Sequence, residues 1–128
     1  MVSEQNLILG VQQIATCLFR FASDRHWSQD DFHIFFRLNT DADRFHMIFV
    51  GPDFDRGDYF ENFKVVWHAL YDQLGNEANR TDLLGSLSLS LLGTDQMHTR
   101  GDFAIPPDYQ EFPHTYASQF QRIPHPSA

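Results

Sequence analysis

The chain has 128 residues, the size of one domain with a single apolar core, and 13 phenylalanines can fill that core without leaving polar atoms unsatisfied. Seventeen acids against nine bases give a formal net charge of −8, which repels phosphate backbones and weighs against general nucleic-acid or anionic-membrane binding. The lone cysteine, Cys17, excludes an intramolecular disulfide and a multi-cysteine zinc site.

The opening MVSEQNLILG has no early Lys or Arg, and no apolar run approaches the ~18–20 residues of a membrane span. With no disulfide in prospect, a reducing cytoplasm is the expected compartment. Residues 4–25 predict an amphipathic helix, because Leu7, Val11, Ile14, Leu18 and Phe21 or Ala22 recur at the three-four spacing of one face. Ser3 is its expected N-cap, and Cys17 falls on the flank of the stripe as a buried, inert thiol.

A hairpin follows, with strands predicted over 32–38 and 45–50 around the turn Asn39-Thr40-Asp41-Ala42-Asp43. Pairing Asn39 with Arg44 puts Phe32, Ile34, Phe36, Leu38, Phe45, Met47 and Phe49 on one face, which must be the core side. The other face is mixed: His33, Phe35, Arg37, His46, Ile48 and Val50, with Arg37 opposite His46. Ile48 and Val50 need cover from a helix or from the C-terminal segment.

Gly51-Pro52 ends the second strand, and a helix is predicted over 59–74 between an Asp58 N-cap and a Gly75 stop. Phe60, Phe63, Trp67, Leu70 and Leu74 are its expected buried stripe; Glu61, Lys64, His68 and Asp72 are its wet one. A polar connection, NEANRTD, leads to Leu alternating with Ser, a third strand over 86–92. Beyond Gly93 the prolines exclude a long regular element, and residues 94–128 read as an irregular tail, with Pro113 able to open a short helix carrying Tyr116, Phe120 and Ile123.

No motif for chemistry emerges. The loop DFDRGD starts like an EF-hand, but Gly57 and Asp58 are misplaced and Lys64 stands where the bidentate glutamate belongs. HxH, HxxxH and HExxH spacings are absent among seven histidines, and no glycine-rich phosphate loop or GxSxG elbow is present. No metal and no cofactor are therefore expected.

The expected architecture is α+β, one domain over 1–128, with two helices on one side of a small antiparallel sheet and a tail over 94–128 that wraps the domain or docks elsewhere. Exposed sheet edges make a homodimer by β-pairing one expectation. By analogy of size and charge, the chain suits a non-enzymatic interaction module of the inhibitor, immunity, chaperone or adaptor type, drawn to a basic protein partner. Its contact surface would combine His33, Phe35, Arg37 and His46 with the tail aromatics Tyr109, Phe112, Tyr116 and Phe120. The rival is a small-molecule site or small enzyme on the mixed sheet face, with His33, Arg37 and His46 binding an anion beside Phe35.

Overall fold

The computed structural model describes residues 4–75, 80–100 and 105–113. Its elements in order are α1 (Glu4–Asp24), β1 (His33–Asn39), β2 (Arg44–Gly51), α2 (Tyr59–Leu74), α3 (Arg80–Ser86), β3 (Leu87–Gly93), α4 (Thr94–Arg100) and β4 (Gln110–Glu111). The α+β class is as expected. Ser3, Tyr116, Phe120 and Ile123 lie outside the described residues.

Helix α1 buries the anticipated stripe, Leu7, Val11, Ile14, Leu18, Phe21 and Ala22, and Cys17 with it. Its C-terminus carries no glycine. Instead His26 takes the left-handed conformation at φ 60°, and the His26 and Trp27 amides bond back to the Ser23 and Ala22 carbonyls. This is a Schellman closure, completed by the apolar contact of Trp27 with Phe21, whose ring centroids are 5.7 Å apart.

The hairpin has the predicted register: Phe36 pairs with Met47, Arg37 with His46 and Asn39 with Arg44. A 3-10 turn over Thr40–Ala42 joins the strands; the Asn39 side chain accepts from the Ala42 amide, and Asp43 sits at φ 51°. Phe32, Ile34, Phe45, Met47 and Phe49 are buried under the helices, while Phe36 and Leu38 pack at the margin of the same cluster.

The sheet order is β3-β2-β1-β4, and here the antiparallel expectation fails: β3 runs parallel to β2. The cause is the connection. Helix α2 carries the chain back to the starting end of β2, so the next strand advances in the same direction. Leu87, Leu89 and Leu91 then face the core beside Phe45, Met47 and Phe49, and the serines between them face away. Gly51 and Gly93 pair at the far end, and both positions lack room for a side chain: a Cβ would fall 2.4 Å from the Trp27 ring at Gly51 and 1.8 Å from Asp55 Oδ1 at Gly93. The same Asp55 carboxylate accepts from the Asp95 and Gln96 amides and so caps α4, a short helix that the sequence did not announce.

Helix α2 has the predicted limits, with Asp58 capping Phe60 N at 2.7 Å and Gly75 closing onto the Tyr71 carbonyl. Its orientation is different. The buried residues are Val66, Leu70 and Leu74; Phe63 and Trp67 are half-buried, and Phe60 stands 74% exposed. Phe60 is thus no core residue, because α1 and the sheet together cover only a narrow strip of the helix.

Candidate functional site

The outward face of the sheet is built by strand alternation: His33, Phe35 and Arg37 from β1, His46, Ile48 and Val50 from β2, Ser88, Ser90 and Leu92 from β3. Ile48 and Val50 are buried and Phe35 and Leu92 are half-buried, so this face is largely covered. Part of the cover is residues 105–113, whose β4 pairs antiparallel with Phe35 and Phe36 and whose Phe112 amide bonds the Ile34 carbonyl at 2.7 Å.

Three polar contacts fasten that segment to the face. Arg37 donates to Asp108 at 2.9 Å and lies 5.4 Å above the Tyr109 ring. His33 Nδ1 meets Glu111 Oε1 at 2.7 Å. His46 Nδ1 bonds the Tyr109 hydroxyl, with the two rings edge to face at 5.3 Å, and its Nε2 lies 2.9 Å from Ser90 Oγ. Of the expected surface set, then, His33, Phe35, Arg37, His46 and Tyr109 do come together. Phe112 does not belong to it: strand alternation turns it inward, where it packs on Phe19 and Phe36 with ring separations of 5.9 and 6.0 Å. Ser90, Asp108 and Glu111 had not been singled out.

Hydroxyl, imidazole and phenol form a hydrogen-bonded chain, Ser90–His46–Tyr109, on the same ring nitrogens that a serine hydrolase uses. Its electrostatics oppose that use. Burial, with the Arg37 guanidinium nearby, lowers the His46 pKa, so the cationic ring that must form on proton abstraction is disfavoured. Tyr109 stands where a carboxylate would stabilise that cation, and burial raises its own pKa, keeping the phenol neutral. The chain is best understood as mutual satisfaction of three half-buried polar groups.

No protein-family model, curated protein or solved structure matches this chain. Geometry alone must speak for it.

Elsewhere, an open groove of about 750 Å³ runs between the end of α1 and α2, lined by Phe21, Arg25, Val65 and Ala69 among charges of both signs, including Asp24, Glu61, Lys64 and Asp72. Cys17 is buried and its pKa is pushed up to about 11 by that burial, leaving no thiolate for chemistry near neutrality. Among the described residues no three His, Cys, Asp or Glu side chains converge as a metal site would require, and no helix is long and apolar enough to cross a membrane.

The largest departure from ordinary surface chemistry is on α2. Tyr59, Phe60, Phe63, Trp67 and Tyr71 form a row along one flank: Tyr59 stacks on Phe63 at 6.3 Å, Phe63 on Trp67 at 5.6 Å, and Tyr59 meets Phe60 edge-on at 6.2 Å. Tyr59, Phe60 and Tyr71 are each about half exposed or more. Phe60, Phe63 and Trp67 were legible as apolar periodicity, in a stripe that nothing in the pattern distinguished from core, while Tyr59 and Tyr71 fell outside it.

Proposed function

We propose that this protein is a small acidic interaction module that binds a protein partner through the aromatic flank of α2. The observation that carries the reading is the exposure of Phe60, at 74%, beside the stacked run of Tyr59, Phe63 and Trp67. Aromatic side chains with ordered neighbours are the usual anchors of protein interfaces, because they offer much area at little entropy cost. Tyr59, Phe63 and Trp67 hold one another in stacked positions, so the surface is ordered before a partner arrives.

Charge chooses the partner's chemistry. Asp58 caps the start of the same helix, Glu61 and Asp72 lie on its groove side with Lys64 beside Glu61 at 3.4 Å, and the whole chain carries −8. A basic surface with an apolar centre is complementary to that arrangement, and its approach is electrostatically steered. Within the tail, Tyr109 and Phe112 are engaged with the domain itself.

The test is a photo-crosslinking amino acid at position 71 in the full chain, compared with and without Phe60→Ser. The expected result is one dominant cross-linked protein with a basic surface, weakened by rising salt and lost with Phe60→Ser. Cross-linking to a second copy of the chain, or bands indifferent to Phe60→Ser, overturns it.

A further inference from the structure

The turn end of the outward sheet face holds a small pocket of about 210 Å³ lined by Arg37, Asn39, Arg44, Phe45, His46 and Ser88. We propose that this pocket binds a phosphate group carried by a small molecule. The inference is independent of the α2 surface.

Register makes the site. Asn39 is paired with Arg44 and Arg37 with His46, while Ser88 lies beside His46 on the parallel neighbour, so all five polar side chains project from the same face. Two of the chain's nine Lys and Arg residues meet here in a molecule that is otherwise strongly acidic. Elsewhere Arg25 is paired with Asp53 and Lys64 with Glu61. The Arg44 side chain has no ion-pair or hydrogen-bond partner among the described residues. Arg37 gives Nη1 to Asp108 and keeps the remaining donors of its fork.

The donor set suits a tetrahedral oxyanion. Two planar guanidinium groups offer charged donors to separate oxygens, and the Ser88 hydroxyl and Asn39 amide are neutral donors at the rim. His46 acts as a wall rather than a ligand, because both ring nitrogens are taken by Tyr109 and Ser90. No carboxylate lines the pocket. Asp108, ion-paired with Arg37 at 2.9 Å, offsets one of the two charges and leaves Arg44 as the uncompensated cation, while acids more than ~8 Å away are largely screened at physiological ionic strength. A volume of this size admits a phosphate and its first ester atoms, and the net charge of the chain repels a nucleic-acid backbone.

The experiment is amide NMR titration of the full chain with inorganic phosphate, then with glycerol 3-phosphate, at ionic strength held constant with chloride. Acetate in place of phosphate tests whether any carboxylate suffices. Saturable shifts centred on Asn39, Arg44 and Ser88 are expected for the phosphates, weakened ~10-fold or more by Arg44→Gln and less by Arg44→Lys, which keeps charge but loses the fork. Arg44 is exposed, so both variants should keep the parental spectrum elsewhere. Shifts that rise linearly without saturating, that acetate matches, or that Arg44→Gln leaves unchanged overturn the assignment.

Discussion

Phe112→Ala tests whether residues 105–113 belong to the domain or merely lie on it. The ring is 7% exposed, within reach of Phe19 and Phe36, and its amide extends the β4 pairing to Ile34. Truncating a buried Phe to Ala destabilises by ~3–5 kcal/mol, and the lower figure suits a site at the sheet margin where neighbours can relax. For a domain of this size ~3 kcal/mol corresponds to a fall in Tm of about 10 °C. The polar contacts cannot substitute for that burial: the Arg37–Asp108 pair stands in solvent, where salt screens it and side-chain entropy offsets it. Urea unfolding of Phe112→Ala, Arg37→Gln and the parent, followed by fluorescence and near-UV dichroism, separates the two contributions. The first variant should unfold at clearly lower urea with the same slope, and the second should be indistinguishable from the parent. If Arg37→Gln lowers the midpoint while Phe112→Ala does not, the segment is held by charge and the apolar-anchor argument is wrong.

Other expectations follow from the same coordinates. Because burial lowers the His46 pKa, its contribution is fully present above the ordinary value and lost as pH falls through about 6.5 towards the depressed one; Tm measured across that window should decline, and less so in His46→Asn. His26→Gly should stabilise by roughly 0.5 kcal/mol, since His26 holds φ 60° at an exposed helix end that glycine adopts without strain; thermal denaturation reads it, and destabilisation would refute the closure described for α1. Gly93→Ala should destabilise by ~3 kcal/mol or more, and adding Asp55→Ala should recover only part, because the new Cβ also falls 2.8 Å from the Asp55 Cα. Cys17 should react with a thiol reagent only at the rate of opening, so added urea should accelerate labelling and a rapid native reaction would contradict its burial.

How legible each feature was depended on whether its cause is local. Alternation along two adjacent strands determined the hairpin register down to the Phe36–Met47 pair, and Asp58 and Gly75 bracketed α2 at both ends. The direction of β3 is recoverable from the intervening helix, since a helical crossover favours a parallel neighbour over a simple meander. Helix α4 and strand β4 gave no such signal: α4 is capped by Asp55, 40 residues earlier, and β4 is two residues long. The outward face was readable in part. His33, Arg37 and His46 follow from the period of two, but their partners Glu111, Asp108 and Tyr109 lie 78, 71 and 63 residues away, and no spacing rule reaches that far.

Helical periodicity finds an apolar arc but not how much of that arc the domain can use. Helix α1 meets β1, β2 and α2 at once and hides ten residues; α2 meets fewer neighbours and hides three. The surplus on α2 is above all Phe60, 74% exposed, which adds little to folding if it faces water in the isolated chain; Tyr59, though half exposed, accepts the Leu91 amide on its hydroxyl. Exchanging Phe60 for Ser should therefore move stability by no more than ~0.5 kcal/mol, the usual range for surface substitutions, while removing the most exposed aromatic ring. A loss of several kcal/mol would mean that the row packs within the domain, and the surface offered to a partner would not exist. An unchanged urea midpoint would leave Phe60 ordered beside its aromatic neighbours with no part in folding, which is the physical content of calling this flank an interface.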